Sequence, residues 1–595
     1  MARCIGIDFG TTNSLISVVL SDRVESFLNE EGMPHSSAVG YDVSRVITGS
    51  EVRALISDVS ANLAESIVRS PKAMLGKGKI FLAGRQFEPA EVVTDLMQFL
   101  FDDAAGKVPE GNDDIDFTRA VVSIPVAMDG RTRKELRDAL LRAGIHVEQF
   151  VHEPLAALYA FLKDHPNFEE VMSLYQGKLA LVFDWGGGTL DLTLCHVIEG
   201  AVTQIMNVGD NNVGGDYIDE AIRDFIVSKY MEMNSLEDSL DVNPGARAKL
   251  LHACERAKIQ LSERATVVIY IPDYFLTSDY DPDIQYTFTR DELNEVSMKF
   301  ISRGLNTITA LTDKVNIDQR QISVCLATGG MVNMPCIKQS LLQIFGIERL
   351  EVSKKGDRII SEGCAWIAND NLRMSLAKPI EVVEARQSYL KVFKSGTRLP
   401  SEGEFIEQTL DMYCVDPRDA KAKFQIVRPQ HVNKTAATDP RVTYENLTVG
   451  VDKLSKPFFE RLTLTFNIDD NFIVEARGHS TLANDTDSCE IYDLEFSLAL
   501  PINPDQNSST SAVDYETLEM RVEGEVCARS NVTSKEKNQA AVPGEVLHTY
   551  KPRAFDPEFG DSTKIQNEEK LYYQPCSLCK RPFNHPDCKC STVGG

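Results

Sequence analysis

Residues 184 to 194 read DWGGGTLDLTL, in which Asp184 and Asp191 flank Gly186, Gly187, Gly188 and Thr189 inside an otherwise apolar run. Three consecutive glycines make a turn almost free of side chains, whose open amides can cradle an anion such as phosphate. Two carboxylates at its edges would repel that anion unless a divalent cation or its water shell lay between, and Mg²⁺ on a nucleotide suits hard carboxylate oxygens. Taken alone, the pattern suits a tight hairpin as well as a phosphate site. A second copy stands at residues 5 to 19, IGIDFGTTNSLISVV, with Asp8, Gly10, Thr11 and Thr12 between apolar runs. A hairpin of this composition that occurs twice in one chain suggests two halves of one site facing each other across a cleft. Beyond these two hairpins no internal repeat is legible.

The elements that must position these residues follow from periodicity. Leu179, Leu181, Val182 and Phe183 before the glycines, and Leu190, Leu192 and Leu194 after them, predict two strands joined by the turn. In ARAKLLHACERAKIQLS, residues Leu250, Leu251, Cys254, Ala257 and Leu261 keep helical spacing. Glu255, Lys258, Ile259 and Ser262 then share a face predicted to be exposed, where polar groups can meet a ribose; without neighbouring motifs a solvated face is the better reading. Glu153-Pro154 before an alanine-rich run is an ordinary helix start. From about residue 385 the texture turns to short alternating stretches, as in RLTLTFNIDDNFIVEARG, which predicts an all-β unit. There Asp469, Asp470 and Asn471 form a turn, and Asn471 is the residue expected to take positive φ because Phe472 follows it.

The two hairpins resemble the phosphate-binding motifs of the superfamily of actin, sugar kinases and heat shock protein 70, and further motifs resemble the heat shock protein 70 family in order. SPKAMLGK places Lys72 where that family keeps a catalytic lysine. The stretch 120 to 160 is similar to its connecting region, with Pro125, Arg133 and Glu153 at the positions that couple nucleotide state to a neighbouring domain. GDNNVGGDYID resembles a second-lobe glycine loop at Gly214 and Gly215, the helix around Glu255, Lys258 and Ser262 the adenosine-binding helix, and ATGGMVNMP the adenosine loop at Gly329 and Gly330. The match spans roughly residues 3 to 370.

The resemblance implies an α/β, actin-like (ribonuclease H-like), two-lobed ATPase. ATP or ADP would lie in its cleft, with Mg²⁺ held through water by Asp8 and Asp184 and the phosphates bound by both hairpins, including Thr11, Thr12, Asn13 and Thr189. Lys72 would offset charge on the transferring phosphoryl group, while Asp191 and Glu153 order metal and water. By composition alone Lys72 reads as a surface lysine. The resemblance also assigns Asn333 and Asp357 to the nucleotide. Two positions depart from the family pattern: Ile259 and Asn333 stand where arginines commonly sandwich the adenine, so the base would rest on aliphatic surface such as Met331. Each lost cation-π contact is worth about 0.5 to 2 kcal/mol.

The 595 residues predict several domains: an ATPase at 1–372, a linker at 373–384, a β-sandwich similar to the family's peptide-binding domain at 385–500, a polar segment expected to be disordered at 501–570, and a cysteine-rich tail at 571–595. Met374, Leu376 and Ile380 are the apolar handles in the altered linker, Phe472 replaces the family's turn glycine, and the helical lid is not recognisable. In CSLCKRPFNHPDCKC the residues Cys576, Cys579, Cys588 and Cys590, with His585 nearby, suit a structural Zn²⁺, free thiols or lipid-modified cysteines. A formal charge of -26, from 62 Lys+Arg against 88 Asp+Glu, argues against general nucleic-acid or anionic-membrane binding. No apolar run is long enough to span a bilayer, no signal peptide is expected before the first strand, and scattered cysteines suit a reducing, cytoplasmic setting. The expected function is an ATP-dependent chaperone that binds extended polypeptide, with a J-domain co-chaperone and an exchange factor as expected partners. A nucleotide-dependent adaptor or sensor with one dedicated partner is the alternative, and a sugar or metabolite kinase a third reading.

Overall fold

In the computed structural model the described residues are 3–500, apart from 43–44, 59–65, 83, 110–113, 199, 237–239, 278–279, 384–387 and 431–438, together with Glu525–Ala528. They fall into two compact units, one built on Met1–Leu372 with Ala499–Ile502 and the other on Arg373–Leu498.

The first unit is α/β and contains one arrangement twice. Its first sheet is formed by β1 (Arg3–Phe9), β2 (Asn13–Leu20), β3 (Arg23–Ser26), β4 (Ile115–Ile124) and β5 (His146–His152), in the order β5-β4-β1-β2-β3. The strands β5, β4 and β1 run parallel, while β1-β2 and β2-β3 are antiparallel. The second set is β6 (Lys178–Trp185), β7 (Leu190–Ile198), β8 (Ala201–Asp210), β9 (Ile322–Thr328) and β10 (Leu350–Val352), in the order β10-β9-β6-β7-β8. Its pairings have the same senses in the same places. Helices repeat too: α1 (Gly130–Arg142) joins β4 to β5 and α2 (Glu153–Lys163) follows. Likewise α5 (Pro335–Phe345) lies between β9 and β10 and α6 (Ile359–Asn369) follows; α3 (Gly215–Met233) and α4 (Pro244–Leu261) stand in the chain between β8 and β9. The duplication therefore reaches far beyond the two hairpins, because it is carried by strand order and sense rather than by residue identity.

Local sequence explains the central strands. Ile5, Ile7 and Phe9 of β1 and Leu181, Phe183 and Trp185 of β6 are all fully enclosed, as expected where parallel strands are covered on both faces. The closing helices α2 and α6 pack against each other, and α6 also lies on β1 and β2. Proline in the first turn of α2 suits a position whose amide has no partner in the helix. Around β6 and β7 a large apolar core gathers Leu192, Ile218, Ile222, Leu250 and Leu261 from strands and helices.

The second unit is all-β. One sheet has the order β13 (Tyr389–Phe393), β12 (Ile380–Val383), β15 (Lys421–Pro429), β16 (Arg441–Gly450). The other runs β19 (Thr486–Ile491), β18 (Val474–Ser480), β17 (Arg461–Asp469), β14 (Glu404–Tyr413), β21 (Glu525–Ala528). The two are joined along an edge, where the amides of Thr448 and Gly450 of β16 donate to the Asp487 and Asp485 carboxylates at 2.7 and 2.6 Å, and their faces meet closely where a β-carbon on Gly478 of β18 would stand 2.6 Å from the Val449 side chain of β16. β11 (Met374–Leu376) pairs with β20 (Phe496–Ala499). Residues 373–384, predicted as linker, thus carry the strands β11 and β12. Within the polar segment predicted to be disordered, Glu525–Ala528 is a strand antiparallel to Glu404–Glu407.

One turn departs from expectation. The residue at positive φ after β17 is Phe472, at φ 60, and not Asn471. The side chain of Asn471 is engaged locally, donating to Asp469 and Asp470 at 3.1 Å each, and its amide bonds the Asp469 carboxylate at 2.9 Å. The ring of Phe472 is fully buried, edge-on to Phe496 at 5.3 Å, so apolar packing offsets the cost of a left-handed backbone.

Candidate functional site: the junction of two glycine hairpins

The turn between β1 and β2 holds Gly10, Thr11 and Thr12, and the turn between β6 and β7 holds Gly186, Gly187 and Gly188. These turns meet: a β-carbon placed on Gly187 would stand 2.7 Å from the Thr12 hydroxyl. The first turn is fixed from behind by Ser37, whose amide donates to the Thr12 carbonyl at 2.8 Å and whose hydroxyl donates to the Gly10 carbonyl at 2.9 Å. In the second, Gly186 donates to the Thr189 carbonyl at 3.0 Å, closing the turn, and Asp184 and Asp191 are paired directly across the hairpin.

A third glycine segment joins them. Gly215 and Asp216, at the start of α3, donate their amides to the carbonyls of Gly186 and Gly187 at 3.2 and 2.8 Å. Trp185 donates to the Val213 carbonyl at 2.9 Å, tying the end of β6 to the same loop. From the other side comes Gly329, after β9, at φ +87; a β-carbon there would lie 2.3 Å from the Trp185 carbonyl and 2.7 Å from an Asp184 oxygen. Only glycine combines that left-handed backbone with so close an approach. Gly214 and Gly330 complete these two loops, with Gly330 opening the short turn Gly330–Asn333.

Charge at the junction is strongly one-sided. Lys72 and Glu153 form an ion pair at 2.8 Å, with side chains 9% and 12% exposed, and the Lys72 ammonium sits 5.8 Å from the ring centre of Phe9. The lysine that reads as a surface residue by composition is therefore enclosed. Burial, with the nearby Glu153 carboxylate, pushes Asp8 up to about 7, although Lys72 and a 2.7 Å hydrogen bond from Ser123 act to lower it. Burial and the surrounding Glu153, Asp191 and Asp8 raise Asp184 well above the usual carboxylate range. Burial likewise takes Asp191 to about 6, against a 2.8 Å hydrogen bond from Thr189. Burial raises Asp357, to which the Asn13 amide donates at 3.3 Å. Buried carboxylates that repel one another in this way fit a site completed by a cation. Among the described residues no group of three or more His, Cys, Asp or Glu forms a direct ligand cluster. Carboxylate oxygens are hard donors of the kind that Mg²⁺ takes, directly or through its water shell.

The expected site residues divide into those the fold gathers and those it does not. Asp8, Gly10, Thr11, Thr12, Asp184, Gly186, Gly187, Gly188, Thr189, Asp191, Gly214, Gly215 and Gly329 all belong to the interconnected hairpins and loops just described, and Lys72, from the short turn Pro71–Met74, and Glu153, at the start of α2, stand close to Asp8 and Asp191. On α4, Lys258 is not on an exposed face: its ammonium is buried, donating to Asp219 at 2.8 Å and to the Gly215 carbonyl at 3.0 Å. Glu255 is partly exposed and held by His252 at 3.5 Å, a contact that lowers its carboxyl. Ser262 closes the helix, donating to the Lys258 carbonyl at 3.4 Å. Ile259 is 56% exposed, whereas Met331 is 3% exposed and already packed in the apolar core around β6 and β7. Asn333 is exposed. Arg133 is completely buried in α1; burial, with the Arg133 charge adding to it, depresses His152 to about 3, keeping that imidazole neutral, and Pro125 follows β4 and is half-buried. Cys576, Cys579, Cys588, Cys590 and His585 lie outside the described residues.

Ser37, Ser123 and Asp219 support the site without having been anticipated. Ser123 carries the clearest signal in the sequence, one polar letter in the apolar strand AVVSI. Ser37 and Asp219 have none, because their partners are remote in the chain.

A family model described as Hsp70 protein matches residues 43–372. The chain is 25% identical over 545 residues to the Chaperone protein DnaK of Mycoplasmoides gallisepticum, which covers 88% of this chain and 86% of that protein. It is 26% identical over 365 residues to the Chaperone protein DnaK of Mycoplasma mycoides subsp. mycoides SC, covering 61% and 58% of the two chains. With more than half of its length matched by the family model, and with the paired hairpins that its sequence singled out brought together in the fold, the chain belongs to the Hsp70 family.

Proposed function

We propose that the chain is an ATP-dependent molecular chaperone of heat shock protein 70 type, in which ATP binding and hydrolysis in the first unit control the holding of extended polypeptide by the β-sandwich. The observation that carries this reading is the meeting of two glycine hairpins around a buried Lys72–Glu153 pair and an excess of buried carboxylates. Family membership and the likeness to two chaperone proteins support the same assignment. The actin-like, two-lobed description of the first unit is supported by its duplicated strand order.

The roles follow from the chain's own groups. Amides of the two turns bind the terminal phosphates, with the Thr11, Thr12 and Thr189 hydroxyls beside them. Mg²⁺, when bound with the nucleotide, offsets the charge of Asp8 and Asp184 and polarises the terminal phosphoryl group. Lys72, fixed by Glu153, places a positive charge where negative charge develops, and Asp191 orients the attacking water. No group at the junction is arranged as a strong nucleophile, which suits slow hydrolysis used as a timer. Polypeptide is held along the sandwich by backbone hydrogen bonds and a side-chain pocket, with ATP favouring release. A cytoplasmic location is in keeping with the absence, among the described residues, of a helix long and apolar enough to cross a membrane.

Steady-state hydrolysis tests the enzymatic half. The parent should hydrolyse Mg-ATP without any small-molecule acceptor, and Asp184→Asn should lower turnover by at least about 100-fold. Turnover that appears only with a sugar or metabolite present would replace this reading with a kinase.

A further inference from the structure

We propose that Asp219 is a positioning residue for the second phosphate hairpin, acting through Lys258 as a strut behind the Gly214–Gly215 loop. The inference rests on the nucleotide-site reading above and adds a residue that lies outside the hairpins and the loops of that site.

Asp219 lies on the second turn of α3 and Lys258 on α4, 39 positions away. Their side chains are 6% and 10% exposed and meet at 2.8 Å. The same ammonium donates to the carbonyl of Gly215 at 3.0 Å. The amide of Asp216, in that same peptide, holds the carbonyl of Gly187, and the amide of Gly215, one peptide earlier, holds that of Gly186. A continuous polar chain therefore runs from Asp219 through Lys258 and the start of α3 into the glycine turn. Each link is short, and glycine backbone alone supplies no stiffness to the last of them.

A buried ion pair adds little net stability, since desolvation of both charges largely offsets their attraction; what it fixes is geometry. The pair at Asp219 is also incomplete, because its second carboxylate oxygen is buried without a hydrogen-bond partner among the described residues. Burial raises the Asp219 carboxyl to about 7, and Lys258 is the group that acts most strongly to keep it charged. Without Asp219, the ammonium keeps the Gly215 carbonyl as its one hydrogen-bond partner among the described residues and is drawn toward the Asp216 and Glu255 carboxylates, taking that carbonyl out of register. Without Lys258, the carboxylate has no cation and the loop loses its brace.

Two measurements separate a strut from simple packing. Hydrogen exchange by mass spectrometry, without nucleotide, compares peptides containing Gly215 and Asp216 with peptides from the rest of α3. Calorimetry gives the Kd of Mg-ADP. Asp219→Asn and Lys258→Met should each speed exchange at the Gly214–Asp216 turn about tenfold, leave the remainder of α3 within twofold, and weaken Mg-ADP about tenfold. The double variant should be within about twofold of either single one, as expected for residues acting in series. Lys258→Met carries the test if Asp219→Asn, which strands a buried cation, fails to fold. Unchanged exchange at the turn, or exchange raised along all of α3, overturns the strut. Losses of affinity that add in full overturn the serial arrangement. If the parent binds no Mg-ADP, the proposed function fails, and the exchange comparison still decides whether the strut exists.

Discussion

Replacing Lys72 by alanine should separate binding from turnover. The ammonium is 2.8 Å from Glu153, with both side chains largely enclosed, and it counteracts the raised pKa of Asp8 and Asp191. Its removal leaves Asp8, Glu153, Asp184 and Asp191 facing one another, so Mg-nucleotide, which brings its own cation, becomes more important to the folded state. Breaking a buried pair in this way typically costs about 3 to 5 kcal/mol, and bound Mg-ADP should restore much of the lost thermal midpoint. The larger effect is on chemistry. One preorganised donor aimed at developing charge is worth about 3 to 4 kcal/mol, so single-turnover hydrolysis should slow by about 10² to 10³-fold. Because the amides of both turns remain, the Kd of Mg-ADP should change by less than about tenfold. Lys72→Arg should not rescue hydrolysis, since a planar fork cannot occupy the place of a compact ammonium between Phe9 and Glu153. Hydrolysis within threefold of the parent would remove Lys72 from the mechanism.

Other consequences are equally measurable. Asn333→Arg should restore a cation against the base and tighten ATP by about 0.5 to 2 kcal/mol, roughly 2- to 30-fold; an unchanged Kd would place adenine elsewhere. Gly329→Ala puts a side chain at φ +87 and 2.3 Å from the Trp185 carbonyl, so urea unfolding should show a loss above about 2 kcal/mol, and parent-like stability would refute the close packing of that loop. Asp8 and Asp191 are raised to about 7 and 6 in the folded chain. Their contribution to stability is therefore full below the ordinary carboxylate range and lost as pH rises toward 7. The nucleotide-free thermal midpoint should fall between pH 5 and 8 through these groups, and Mg-ADP should stabilise more at pH 8 than at pH 6. The reverse order would contradict the charge balance described for the junction.

Much of the site is legible in the sequence because phosphate cradles are local: Asp8 to Thr12 and Asp184 to Asp191 each carry their chemistry within a few residues. Strand and helix types around them follow from period, as at Leu190, Leu192 and Leu194. Longer relations are not written locally. Lys258 shares a helical face with polar neighbours, yet the approach of Asp219 buries it, which no spacing on α4 reveals. Asn471 has the right chemistry for a left-handed turn, but its own amide is committed to Asp469 and Asp470, and packing against Phe496 places Phe472 there instead. The duplicated strand order is invisible for a related reason: apolar strands exchange residues freely while keeping their places in a sheet.

Dissociation of a fluorescent unfolded polypeptide on addition of Mg-ATP, with Lys72→Ala alongside, tests the chaperone assignment most directly. ATP should speed release from the parent by at least about tenfold, and Lys72→Ala, which binds ATP but hydrolyses it slowly, should still release on ATP addition. A polypeptide that never binds, or that binds and leaves at the same rate with and without Mg-ATP, would contradict nucleotide-controlled chaperoning by this chain.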